Sequence, residues 1–378
     1  MQASGSAARA DVRTTRLQAA ECSVPLPKPI RLGPVEIFNR DFVVLRLHAK
    51  DGLYGDAIGY PRGTPLLESV SRLSRRFLDV DPFLRRQAVD RVLGSLVNGR
   101  PSYIRATSLF EIALTDIACK VMGAPWYKLM GGVRNTAPVM VVAGYYLDSR
   151  TIDDVVREVS GLLEAGFPRI KINLLGTDPV FDARYVEQVN RVAEGHLAAD
   201  AHWSWNSVAA AISGFRRLDE AGLAFLEDPF GPYRNDWVAD LAAQIKTPIA
   251  CGEDMPDTGS LLRLTDHARY LRVDATTCGG IGAAFGVSEA ASLKGATILP
   301  HVFLPLHAQL AGCCPGVEMA ELVAQSSGAD PLDLLLLRMP PIENGFVHID
   351  QTPGLGIELN WSNVEKYCVN SVAIDLEG

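Results

Sequence analysis

The sequence predicts an α/β protein, a parallel barrel preceded by an α+β domain. Three observations predict it. From about Pro138 onward, short β-rich runs alternate with amphipathic helical stretches. The region before that point reads as a hairpin followed by helices. The chain has 378 residues, too many for one small domain.

The repeating runs, in order, are PVMVVAGYY from Pro138, RIKIN from Arg169, HLAADAH from His196, LAFLEDPF from Leu223, TPIACGED from Thr247, YLRVDA from Tyr270, TILPHVF from Thr297 and VEMAELV from Val317. Helical patterns such as TIDDVVREVSGLLEAG and NSVAAAISGFRRLDEAG separate them, and both end at glycine, a frequent helix stop. Eight such units fit a parallel barrel of about 250 residues or fewer. A doubly wound open sheet is the alternative, but no Gly-rich phosphate loop follows the first strand. Upstream, FVVLRLHAKDGLYGDAIG reads as two strands joined by an Asp-Gly turn, and SLFEIALTDIACKVMG as a helix ending at Gly123. The run SVAIDL has no helical pattern after the last barrel strand, so it is expected to return to the first domain. The expected organisation is a loose tail at 1–12, an α+β domain at 13–135, the barrel at 136–340 and a returning segment at 341–378.

Composition narrows the function. Apolar residues make up 48% of the chain and charged residues 21%, as in an ordinary soluble globular protein. A net charge of -8 without a basic run argues against nucleic acid, and no apolar stretch is long enough for a membrane span. The opening MQASGSAARADVRTTRL has no apolar core for a secretory signal. Seven scattered cysteines, an odd number without metal-knuckle spacing, read as reduced thiols of a cytoplasmic protein.

Three acids interrupt apolar strands near their carboxyl ends: Asp200, Glu227 and Glu253. They lie about one strand–helix unit apart, which places them on consecutive staves at the rim where barrel enzymes keep their chemistry. Crowded carboxylates must take up protons or hold a cation. An all-oxygen set suits a hard divalent ion such as Mg²⁺. Asp274 ends YLRVDA and His301 ends ATILPH on the next stave. An aspartate that orients an imidazole makes a general base. Glu318, at the start of the eighth run, could present a carboxyl group to the same cavity. Taken singly, each acid also fits a solvated loop, and each histidine a structural role.

These residues resemble the enolase superfamily, in its mandelate racemase / muconate lactonizing enzyme branch. The matching motifs are DAHWSW at Asp200, LEDPF at Glu227, GED at Glu253, VDATTCGGIG at Asp274 and LPHVF at His301, with SLFEIALTDIACKVMGAPWYKLMGG ahead of the barrel. The resemblance runs from about Arg13 to the last residue. It implies a modified TIM barrel, (β/α)7β, under an N-terminal α+β capping domain. It implies Mg²⁺ on Asp200, Glu227 and Glu253, removal of a proton next to a carboxylate, and a hydrogen-bonding carboxyl at Glu318. Cap loops close over the barrel in this family. Here they correspond to SVPLPKPIRLGP and GDAIGYPRG, which makes Lys28, Arg31, Tyr60 and Arg62 candidates for substrate contact. Assembly into a homo-oligomer is common in the family.

The family's second strand carries Lys-x-Lys, its second lysine a base facing the histidine. Here the pair is Lys171 and Asn173, which share a face of the strand. An amide takes no proton at neutral pH, although it can hydrogen-bond substrate. One obvious base, His301 with Asp274, disfavours two-base racemisation and suffices for β-elimination. His202, two residues after Asp200, resembles a histidine of galactonate- and mannonate-type dehydratases and is a candidate acid. The expectation is a Mg²⁺-dependent dehydratase of a small carboxylate, a sugar acid. A racemase or epimerase, and a non-catalytic binding relative, are the alternatives.

Overall fold

A computed structural model describes residues 12–33, 35–96 and 99–376; most of the expected tail at 1–12 lies outside them. The chain begins with an antiparallel sheet of strands β1 (Thr14–Leu32), β2 (Val35–Ala49) and β3 (Tyr54–Gly59). Asp51 and Gly52 both adopt positive φ at the β2–β3 turn, as the Asp-Gly dipeptide requires. The stretch SVPLPKPIRLGP, expected as a loop, instead extends β1 into a long arm against β2, with Ile30 opposite Ile37 and Leu32 opposite Val35. Its alternating prolines fit there because this part of β1 pairs on one side only; β14 reaches no further than Cys22.

The barrel consists of β4 (Thr136–Ala143), β5 (Arg169–Asn173), β6 (Leu197–Asp200), β7 (Leu226–Glu227), β8 (Ile249–Cys251), β9 (Tyr270–Leu271), β10 (Thr297–Ile298) and β11 (Ala320–Val323). Neighbours pair in parallel in chain order. β11 closes the ring onto β4 along one edge, and an Ile298–Val317 bridge joins it to β10. An α-helix lies between each successive pair of strands, and only two short 3₁₀ turns follow β11 before the short strands β12 (Ile342–Glu343) and β13 (Phe346–His348), giving the (β/α)7β arrangement. The hairpin of β12 and β13 pairs with the amino end of β4. Strand β14 (Cys368–Asp375), which contains SVAID, then pairs antiparallel with β1 and completes the four-stranded sheet.

The cap is fastened to the barrel by helix Arg100–Met122. Its Ser108 and Glu111 accept the backbone N–H groups of Gly279 and Ile281 at the start of helix Ile281–Leu293. Gly280 adopts φ 101° there, and a Cβ would stand 2.1 Å from Glu111 Oε2, so this position of TTCGGIG admits only glycine.

Strand alternation sorts the barrel interior into layers. Met140, Ala198, Phe225, Ala250, Leu299 and Met319 form a dry floor that packs apart from the main core. Two residues further along each strand, the same inward parity brings Val142, Asp200, Glu227, His301 and Glu321 above that floor. The fold thus sets an apolar plug beneath a polar ring. Among the described residues no helix is long and apolar enough to cross a membrane, and all seven cysteines are free thiols.

Candidate active site

The polar ring lies at the carboxyl end of the barrel beneath the cap. Register places Asn173 beside Asp200, and Asp200 beside Glu227, on three adjacent staves. Glu253 follows two residues after β8, at Gly252, whose φ of 128° turns the chain inward. A cavity of about 560 Å³ opens onto this ring, lined from the barrel by Lys171, Asp200, His202, Trp203, Glu253, His301 and Glu321 among others, and from the cap by Tyr60, Arg62 and the β1–β2 arm.

Lys171 answers why a strand interior carries an ammonium. Its Nζ stands 2.7 Å from Glu227, 2.8 Å from Glu321 and 3.2 Å from Asp200. Burial opposes the charge, but Glu227, Glu321 and Asp200 outweigh it and hold the lysine well above its usual range, so it stays an ammonium. A second cation, Arg272, is fully buried. Its Nε stands 3.1 Å from Glu227 as an ion pair, and its terminal nitrogens bond Glu321 at 2.5 Å and the carbonyls of Leu299 and Pro300. It sits two residues before Asp274, on the same face.

His301 Nδ1 is 2.9 Å from Asp274 Oδ2. Burial pushes Asp274 up, yet the bond to His301 and its charge bring it below the usual carboxylate range, so it accepts and Nδ1–H donates. Asp274 Oδ1 in turn accepts the backbone N–H of Thr276 at 2.7 Å. The other ring nitrogen, Nε2, faces the cavity, and in the neutral ring of this tautomer it carries the lone pair. It lies 3.4 Å from Glu253 and 3.2 Å from Arg62 Nη2. Arg62 reaches in from the cap, its Nη2 bonding Glu253 at 2.9 Å.

The remaining expected residues divide. His202 borders the cavity, its backbone N–H donating to Asp200 at 2.9 Å and its Nδ1 3.1 Å from the same oxygen. Burial lowers its basicity more than Asp200 restores it. Asn173 is buried in the ring, and neither side-chain atom finds a hydrogen-bond partner among the described residues. Tyr60 and Arg62 line the cavity, as expected of cap residues. Lys28 and Arg31 do not. They lie on the exposed arm, Lys28 bonding Ser149 and Arg31 near Asp148. Glu318 is also elsewhere. Met319 and Glu321 take the inward parity of β11, so Glu318 falls at the amino-end mouth, 3.7 Å from Arg169. Glu321 is the strand-eight carboxylate that faces the ring. The sequence reading missed Arg272, Glu321, Arg40 and Asp330. The first two carry a signal, since each shares inward parity with a neighbouring ring residue.

Two features mark this rim as a place where structure yields to chemistry. Arg62, His202, Trp203, Asp228, Val302 and Phe303 are non-glycine residues with φ between 39° and 58°, all around the mouth. Such strain persists only where the surroundings impose it. Negative charge is also in excess. Glu227 is pushed up to about 8, by burial first and then by Asp200 and Glu321 against the pull of Arg272 and Lys171. Burial and Glu253, Glu227 and Asp200 raise the adjacent Asp228 further. Glu227 Oε2 is buried without a hydrogen-bond partner among the described residues. Among those residues no three acidic, histidine or cysteine side chains converge to direct coordination distance; Lys171, Arg272 and Arg62 are ion-paired with the acids. The donor chemistry, hard oxygens short of positive charge, fits a divalent cation.

The family model described as Enolase C-terminal domain-like matches residues 154–363, more than half of the chain. The chain belongs to the enolase C-terminal domain-like family. Members similar to it include L-talarate/galactarate dehydratase of Salmonella typhimurium, 26% identical over 72% of this chain and 70% of that protein. N-succinylamino acid racemase of Thermus thermophilus is 27% identical over 74% and 76%. Among solved structures, L-talarate dehydratase from Polaromonas sp. JS666, complexed with Mg and L-glucarate, superposes with a TM-score of 0.82 at 23% identity, covering 97% of this chain and 99% of that one. The fold is that of the mandelate racemase branch of this enolase-like family, a TIM barrel with an N-terminal capping domain.

Proposed function

We propose that this member of the family is a Mg²⁺-dependent sugar-acid dehydratase, taking the proton next to the carboxylate and expelling the hydroxyl on the next carbon to give a 2-keto-3-deoxy acid. The observation that carries the reading is that the ring holds one competent base. His301 Nε2 offers a lone pair held by Asp274. The opposing strand offers Asn173, which takes no proton, at the position two residues beyond Lys171, and Lys171 is itself ion-paired with Glu227, Glu321 and Asp200. Two-base inversion, the requirement of a racemase, lacks its second base.

Asp200, Glu227 and Glu253 would hold the metal, which when bound supplies positive charge against the developing oxyanion. His301 removes the α-proton. Lys171 keeps a fixed positive charge at the carboxylate end of the substrate and is not consumed. Asn173, with both amide atoms unengaged, hydrogen-bonds a substrate oxygen. His301, protonated when it takes the α-proton, returns its proton to the leaving hydroxyl on the same face. The floor of Met140, Phe225 and Leu299 and the cap over the mouth limit water. The test is incubation of the protein and Mg²⁺ with a panel of sugar acids, measuring 2-keto acid. Deuterium uptake next to the carboxylate with inversion, and no keto acid from any member, would replace the dehydratase with an epimerase.

A further inference from the structure

Three cations line the cavity: Lys171, Arg62 and Arg40. Lys171 is saturated by Glu227, Glu321 and Asp200, and Arg62 by Glu253 and Asp254. Arg40, on β2, has no carboxylate partner at ion-pair distance among the described residues. Its Nε and Nη2 both donate to the carbonyl of Ala329, at 3.2 and 2.8 Å. A guanidinium carries five N–H donors, and these bonds use two of them. Arg40 is half-buried, and its charge lies 5.7 Å from the centroid of the Tyr60 ring.

Beside it, Asp330 lines the same cavity at 7% exposure, and its Oδ1 has no hydrogen-bond partner among the described residues. Burial holds the Asp330 carboxyl above its ordinary range, with Arg40 opposing, and the Tyr60 phenol engages it. A carboxyl group so placed can accept from or donate to a hydroxyl. The group is built from two sources: Arg40 and Tyr60 come from the cap, Ala329 and Asp330 from the segment after β11.

We infer that Arg40, with Asp330 beside it, forms a second polar pole of the cavity that binds the far carboxylate, and the hydroxyl next to it, of a dicarboxylic sugar acid. The inference rests on the sugar-acid reading above and sharpens it from acid sugars in general to diacids. A neutral hydroxymethyl end would leave the half-buried guanidinium with no carboxylate at ion-pair distance and three N–H donors unused, whereas a carboxylate satisfies those donors with charge-assisted bonds. The first pole already has its own cations, so Arg40 is free to recognise a second anion.

The experiment compares diacid and monoacid pairs of matched configuration, by kcat/KM for dehydration and, separately, by calorimetric Kd in the presence of Mg²⁺. The wild type is expected to favour diacids. In Arg40→Met the diacid-over-monoacid ratio is expected to fall about 10- to 100-fold, the factor one charged hydrogen-bonded contact supplies, and Arg40→Lys is expected to retain part of the preference. Equal binding of diacids and monoacids by the wild type, failure of every diacid to bind, or an unchanged ratio in Arg40→Met would overturn the inference. Diacid-selective binding that depends on Arg40, without keto-acid formation from any substrate, would sustain this pole and remove the dehydratase reading instead.

Discussion

Replacing Asp274 with asparagine should disable the base without disturbing the fold. The reason lies in which amide atom meets the imidazole. Asp274 uses Oδ1 to accept the Thr276 N–H at 2.7 Å and Oδ2 to accept His301 Nδ1–H at 2.9 Å. In Asp274→Asn the amide oxygen must keep the Thr276 bond, because an NH₂ there would face an N–H. The amide NH₂ then points at His301 Nδ1 and donates to it. The ring switches tautomer, its proton moves to Nε2, and no lone pair faces the cavity. A positioned base contributes about 10²- to 10⁴-fold, and the upper end, roughly 5.5 kcal/mol of barrier, applies when the tautomer itself is wrong. The assay is deuterium exchange next to the carboxylate, with thermal unfolding as the fold control. A rate within about tenfold of wild type in a folded variant would refute the tautomer argument.

Other expectations follow from the same ring. Mg²⁺ should raise the melting temperature, by about 2.7 kcal/mol of stability at a hundred times its Kd, and Glu227→Gln should abolish the rise; no shift at millimolar Mg²⁺ counts against metal binding. Arg272→Met leaves Glu227 and Glu321 buried with one cation fewer and should cost about 3–5 kcal/mol in urea unfolding; a loss under about 1 kcal/mol would show the two acids relax by taking up protons. Gly280→Ala pushes a Cβ to 2.1 Å from Glu111 at a φ of 101° and should destabilise by more than about 1 kcal/mol, so an unchanged melting temperature would disprove the clash. His202→Asn should keep keto-acid formation while raising KM; loss of elimination with α-proton exchange intact would make His202 the acid after all.

Much of the ring was legible because barrel strands repeat a rule. Asp200, Glu227 and Glu253 each end an apolar run, and the register puts Asp200 level with Glu227. The same rule, applied to VEMAELV, selects Glu321, which follows Met319 at strand spacing. Glu318 precedes the apolar part of that run and takes the opposite face. Arg272 was legible by parity with Asp274. Lys171 was read as a charge near substrate, but its three partners lie on other strands, and no local pattern announces them. The arm around Pro25, Pro27 and Pro29 was expected as a loop from the family resemblance alone; it forms a strand because an unpaired strand edge tolerates proline. Arg40 and Asp330 had no sequence signal, since they meet only when β2 packs over the segment following β11.

The pairing of β1 with β14 joins segments separated by most of the chain; Arg16, for example, stands opposite Asp375 and Cys22 opposite Cys368. The barrel ring closes with β11, well before β14 in the chain, so the acid cluster can assemble while the roof above it still lacks its outer strand. Until β14 arrives, the first strand shows a bare row of amides and carbonyls, the kind of edge that recruits other chains. During synthesis, then, that edge of the cap stays open until the last strand of the chain has emerged to cover it.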